Sequence, residues 1–187
     1  MAVYEDDMQR TFDRLWSESK IEIFRLELLN TYEIGYEADA FNKYKHGKRV
    51  NVFEEVPGFR DWLSKIERTA KRGVAIVDIQ VLDLPMSDYL KFGIKYGSSF
   101  AEQRGEKFLF IERKSISELV DGFTDYWMFD SKTVMLMNYD YEGHLISRSD
   151  PINNHTEIWG YLDLKDQLLK IGIPMQAFLK DNSIDLR

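Results

Sequence analysis

The 187 residues carry 25 basic and 32 acidic side chains, a net charge of −7, with 44% hydrophobic and 14% aromatic content. That is ample apolar material for a sizeable core and excludes a disordered chain, and the acidic balance makes any nucleic-acid binding depend on a local basic patch. The absence of cysteine removes disulfides, thiolate metal sites and cysteine nucleophiles together.

The N-terminus, Met1 to Asp7, is acidic and lacks the apolar stretch of a signal peptide. No apolar run approaches the ~18–20 residues that cross a bilayer, so a cytoplasmic location is expected. Tyr4, Met8, Phe12, Leu15 and Trp16 recur at helical spacing, with Glu5, Asp6 and Asp7 in the first turn, where the macrodipole favours negative charge. Phe24-Arg25-Leu26-Glu27-Leu28 alternates apolar and charged residues as a half-buried strand does, although a helix also fits. Tyr36 to Lys45 reads as a helix ending near Gly47.

Pro57 opens a strong amphipathic helix with a stripe of Phe59, Trp62, Leu63, Ile66 and Ala70, stopped by Lys71, Arg72 and Gly73. Val74 to Leu84 is β-branched and nearly continuously apolar, which predicts an interior strand ended by Pro85. Ser87 is placed to cap the next helix, with Asp88 in its first turn and Leu90, Ile94 and Phe100 along it to about Gln103. Gly93 and Gly97, one turn apart, predict close approach of that helix to a neighbour. Lys107 to Glu112 is the next strand, so strand, helix and strand form a βαβ unit with a parallel pair. After a loop from Ser115 to Thr124, Tyr126 to Phe129, Thr133 to Tyr139 and Leu145 to Ser149 form an antiparallel meander. A last helix from about Thr156 to Ile171 is closed by Gly172 and Pro174. Trp62, Leu90, Phe110 and Leu136 are expected in one core.

The expected architecture is one α/β to α+β domain over residues 1–187, with a mixed sheet and helices at both ends. Its N-terminal helical part spans about 1–72, and its sheet-containing part about 73–187.

Templates for chemistry are few. His46, His144 and His155 form no zinc-binding pair, and no nucleophile elbow, P-loop or dinucleotide fingerprint occurs. The Asp140 to Gly143 turn is too short for an EF-hand loop. Neither a metal nor a cofactor is expected. His46-Gly47-Lys48 matches two residues of a phosphodiesterase motif, but the acidic residue that should follow comes one place late, at Glu54. Lys43, Lys45, Lys48 and Arg49 form a basic patch that would suit either phosphates or a solvated helix end. Arg25 and Glu27 share a strand face, and Asp125 and Asp130 bracket a hydrophobic strand; each pair fits a site or an ordinary surface charge.

Three segments in order resemble a known family. Phe24-Arg25-Leu26-Glu27 with Tyr32, Glu33 and Glu37 resembles its FRLE signature. Pro85 to Phe92, which includes Ser87, Asp88 and Tyr89, resembles its PLSDYLRFE. Asp125-Tyr126-Trp127-Met128-Phe129-Asp130, followed by Tyr139-Asp140 and Gly143, resembles its DFWLFD and YD..G. This is the family catalogued as domain of unknown function 6879, common in actinobacteria. The family's company implies a helix-turn-helix regulator or another protein as partner. Where the family closes its central motif with glutamate, this chain has Gly93. The element order is also similar to one half of a phospholipase-D-like fold, without the catalytic histidine.

Two functions are carried forward. One is a non-enzymatic regulatory or protein-interaction domain that binds neither membrane nor, directly, nucleic acid. The other is a ligand-binding or phosphodiesterase-like enzyme in which Arg25, Glu27, Ser87, Asp88 and Asp130 converge. Nucleic-acid binding through Lys43 to Arg49 is a weaker third. Asp88 is expected to neutralise the helix dipole or to meet a cation or a basic group such as Arg25.

Overall fold

A computed structural model describes residues 2–186, with side chains from residue 7 onward. The expected roles of Tyr4, Glu5 and Asp6 therefore lie outside the described residues. Helix α1 (Ala2–Glu18) buries Met8, Phe12 and Trp16. It leads into β1 (Glu22–Glu27), which is a strand and not the alternative helix. A 3-10 turn (Gly35–Glu37) precedes α2 (Ala38–Lys45), and α3 (Val52–Glu55) precedes α4 (Phe59–Lys71). Strand β2 (Ala75–Leu82) is followed by α5 (Asp88–Gly93), a π turn (Ile94–Ser98) and α6 (Ser99–Glu102). Next come β3 (Glu106–Glu112), a short α7 (Ser117–Val120) in the expected loop, and the strands β4 (Asp125–Phe129), β5 (Thr133–Tyr139) and β6 (Leu145–Arg148). Helix α8 (His155–Ile171), β7 (Ile173–Pro174) and α9 (Met175–Asp181) close the chain.

The seven strands form one mixed sheet in the order β6-β5-β4-β1-β2-β3-β7. The expected β2–β3 parallel pair and the β4–β5–β6 meander are both present. Strand β1, which lies within the part of about 1–72 expected to be mainly helical, is the centre: it pairs parallel with β2 and antiparallel with β4. No helix among the described residues is long and apolar enough to cross a membrane.

Because side chains alternate across a strand, the sheet has two inner faces and two cores. Ile23, Ile76, Phe110, Trp127 and Met135 lie under α1, α4, α5 and α9. Phe24, Ile79, Leu109, Tyr126 and Met128 lie under α7 and α8. Trp62, Leu90 and Phe110 share the first core as expected, but Leu136 does not. It sits between Met135 and Met137 on β5, and the two-residue period of the strand sends it to the opposite face. Leu90→Ala is expected to cost about 2–5 kcal/mol, because Leu90 is buried in the first core. A denaturation midpoint unchanged by that substitution would remove Leu90 from the core.

Gly93 and Gly97 do not mediate helix contact. A Cβ at either would meet nothing within 4 Å. Close approach occurs at other glycines, among them Gly172, where a Cβ would lie 2.9 Å from Leu109 Cβ.

Candidate functional site

The register of the central strands places chemistry where a core would otherwise be. Trp127 on β4, Arg25 on β1, Asp78 on β2 and Phe108 on β3 stand side by side across the sheet. Two residues further along, Glu27 faces Gln80, which faces Phe110. Glu106 opens β3 beside Ile76. All of these point to the face covered by α1, α4 and α5, and there the helices stand off the sheet. The result is a cavity of about 800 Å³, within the usual range for small-molecule pockets.

Arg25 is the centre of the polar group. Its guanidinium lies 2.5 Å from Glu27 Oε1 and 3.6 Å from Asp78 Oδ2. On its other side it stacks over the Trp127 ring at 4.9 Å, a cation–π distance. Above it, Tyr89 donates to Glu37 at 3.2 Å, and the Tyr32 ring packs edge-on against Tyr139 at 5.1 Å. Tyr32 donates to Asp125 Oδ2 at 2.5 Å, and Asp125 Oδ1 accepts from the Leu28 backbone N–H at 2.9 Å. Asp125 therefore braces the wall of the cavity from behind and does not line it.

The electrostatics are unbalanced. Asp78 is 1% exposed and Glu106 is 4% exposed. Burial pushes Asp78 up to about 7 against the pull of Arg25, with Glu106 and Asp125 adding to the rise. Burial likewise pushes Glu106 up to about 8. Burial raises Glu27 well above the carboxylate range although Arg25 opposes it, and Glu37 and Asp125 rise for the same first reason. Desolvation works against the Arg25 charge, but Glu27 and Asp78 outweigh it and hold the guanidinium ionised. One arginine thus serves several buried carboxyl groups. Asp78 Oδ1 is left buried without a hydrogen-bond partner, as is Arg148 Nε on the same cavity wall.

Of the candidates read from the sequence, Arg25, Glu27, Tyr32, Glu37, Tyr89 and Trp127 meet at this cavity. The expected convergence of Arg25 and Glu27 with Ser87, Asp88 and Asp130 does not occur. Ser87 Oγ caps α5 by accepting from Leu90 N at 3.1 Å and donates to the Asn30 carbonyl. Asp88 stands in the first turn of α5, and the acidic partners of Arg25 are Glu27 and Asp78 instead. Asp130 is at the opposite end of β1, where Oδ1 accepts from the N–H groups of Ile21 at 2.8 Å and Glu22 at 3.1 Å. It is a backbone clamp beside a turn, Asp130-Ser131, that runs through positive φ.

The basic patch is partly occupied by the protein itself. Lys43 pairs with Glu55 at 2.9 Å and Lys45 lies over the Phe41 ring, while Lys48 and Arg49 are exposed. None of the four lines the cavity. His46 is also exposed, with Nδ1 held at 2.8 Å from the Asn42 carbonyl oxygen. Asp140, Glu142 and His144 gather on the β5–β6 turn, but Asp140 Oδ1 is already spent on the N–H groups of Glu142 and His144, both at 2.9 Å.

Asp78, Gln80 and Glu106 were missed in the sequence. Their signal was present: Asp78 and Gln80 are the polar residues at i and i+2 of an otherwise apolar strand, which puts both on one buried face. A buried polar pair with that period is costly unless something uses it.

The model of DUF6879, a domain of unknown function, matches residues 10–180. The chain belongs to that family. The segments Phe24 to Glu27 and Asp125 to Phe129 are β1 and β4, neighbours at the sheet centre, and Pro85 to Phe92 leads into the helix that roofs the cavity. No curated protein matches the sequence. Among solved structures it is similar to TrmBL2, an archaeal chromatin protein described with a novel mode of DNA binding (11% identity, TM-score 0.46, covering 87% of this chain and 48% of that one). It is also similar to Nuc, a phospholipase D family member from Salmonella typhimurium (10% identity, TM-score 0.45, covering 86% and 88%). The chain spans about half the length of TrmBL2.

Proposed function

We propose that this chain is a non-enzymatic regulatory domain that binds a small polar molecule in the cavity over β1 and β2. The observation that carries the reading is Asp78: a carboxyl group 1% exposed, with Oδ1 unpartnered, on the floor of a cavity. An apolar residue there would be more stable, since an unsatisfied buried polar atom costs about 1–3 kcal/mol. A bound molecule that supplies the missing donor offsets that cost. The surrounding groups suit recognition better than turnover, because Arg25 is locked between Glu27, Asp78 and Trp127 and has little freedom to follow a reaction. The proposal places the protein in the cytoplasm, in keeping with a cysteine-free chain, and has it report ligand occupancy to a regulator such as a helix-turn-helix protein.

Gly93 gives a clean test. It lines the cavity in helical backbone, and a Cβ there meets nothing within 4 Å. Gly93→Leu should therefore project into the cavity and obstruct it from the α5 side, and keep or improve stability, since leucine is the better helix former by up to about 1 kcal/mol. In a thermal-shift screen against small polar metabolites, hits on the wild type should vanish in Gly93→Leu. Hits that persist unchanged in the variant would place binding elsewhere, and a screen with no hit at all would refute a small-molecule role.

A further inference from the structure

We infer that the ligand of this cavity is an organic ammonium ion, a protonated amine held by Asp78 and Glu106. This inference rests on the ligand-binding reading above and narrows it to one chemical class.

The charge count on the cavity wall is the first argument. Glu27, Asp78 and Glu106 stand on the sheet floor, and Arg25 is the basic residue among them. Arg25 makes its close contact with Glu27 and reaches Asp78 only at 3.6 Å. Lys65, on the helical wall, is spent on Asp13 at 2.6 Å and on the faces of Phe12 and Trp16. Among the described residues no ion pair serves Glu106. The unpartnered Asp78 Oδ1 is therefore an acceptor, in an acidic environment, waiting for a donor that carries positive charge.

The shape of the site then separates an amine from a metal ion. A bare cation needs several oxygens converging within bonding distance. The group with that spacing among the described residues is on the β5–β6 turn, not at Asp78. The cavity is also far larger than an ion, and much of its wall is aromatic, including Trp127, Tyr139, Phe108 and Phe110. Carboxylates set among aromatic faces are the usual surroundings of an alkylammonium group. At the other side of the same cavity Arg148 Nε is a buried donor without an acceptor. Arg148 is on β6 and Asp78 on β2, four strands apart or about 19 Å along the sheet at about 4.8 Å per strand, so a short amine held at Asp78 does not need the Arg148 donor.

Three probes with one six-carbon skeleton test this: n-hexylamine, 6-aminohexanoate and hexanoate, each followed by thermal shift and calorimetry at pH 8. The two amines should raise Tm by about 2–4 °C and bind more tightly than hexanoate. Asp78→Asn should weaken amine binding at least about tenfold, the loss of one charge-assisted contact, and Gly93→Leu should abolish it. Amines that do not bind, or that bind equally well to Asp78→Asn, overturn the inference. Hexanoate binding that Gly93→Leu abolishes, with no amine binding, would overturn the ammonium class while leaving the ligand-binding reading intact.

Discussion

Asp78→Asn is expected to stabilise the free protein at pH 8 by up to about 4 kcal/mol, the cost of ionising a carboxyl group held up to about 7 in the fold against about 4 in the unfolded chain. At pH 4–5 it should change stability little. The sign follows from where each state holds its proton. In the unfolded chain Asp78 ionises near pH 4, whereas in the fold burial holds it up to about 7, despite Arg25. Between those values the folded state binds the extra proton, so stability falls as pH rises through the window. Glu106, held up to about 8 by burial, extends the fall to slightly higher pH. The wild type should therefore melt at a higher temperature at pH 5 than at pH 8. The variant should flatten that slope, and Asp78→Asn with Glu106→Gln should flatten it further. Arg25 keeps Glu27 as its partner in either variant, at 2.5 Å. Melting curves at half-unit steps from pH 4.5 to 8.5 would decide it. An Asp78→Asn variant less stable than wild type at pH 8 would mean that the Arg25 pair outweighs the cost of burial, and the cavity would then be a structural ion-pair site.

The gain expected from Asp78→Asn also marks which residues serve function. A buried, unpartnered carboxyl group that lowers stability on a cavity floor is the kind of strain that functional sites carry. Asp130 is the opposite case. It is equally acidic and equally prominent in the sequence, yet it holds the N–H groups at the start of β1, and its removal can only destabilise.

How much of this was legible in the sequence depended on range. Helices and strands followed from period: the stripe of α4, the meander and the β2–β3 pair all emerge from local pattern and turn residues. The place of β1 did not, because its partners β2 and β4 lie some fifty and one hundred residues away, and six alternating residues fit an edge as well as a centre. The site was lost by the same route. Arg25 and Glu27 were visible, but Asp78 joins them only through β1–β2 register, and Glu106 only through β2–β3. Ser87 and Asp88 drew notice because helix N-termini favour such residues, and that local physics is what they serve. Leu136 went to the wrong core for want of a strand's absolute register, since a shift of one residue exchanges the two faces.

Gly143→Ala is expected to cost about 2–6 kcal/mol, lowering Tm by roughly 4–24 °C for a chain of this size. Two effects add. Gly143 has φ +90, where a side chain is strained by about 1–3 kcal/mol. Its Cβ would also stand 2.6 Å from the Thr31 carbonyl oxygen and 3.1 Å from Tyr32 Cα, and both are backbone atoms that cannot rotate away. Forcing that overlap costs a further ~1–3 kcal/mol. The contact has a purpose, because the Gly143 carbonyl accepts from Glu33 N at 3.0 Å and so pins the β5–β6 turn against the segment that carries Tyr32. Tyr32 in turn braces Asp125 and packs on Tyr139 at the cavity wall. The substitution should therefore loosen the cavity as well as the fold, and amine binding should weaken even at temperatures where the variant remains folded. Gly47→Ala is the control. It has φ +65 and nothing within 4 Å of its Cβ, so it carries strain without overlap. It should cost about 1 kcal/mol. Equal losses for the two variants would show that the turn does not press on residues 31–33, and the cavity wall would have to be held by Asp125 and Tyr32 alone.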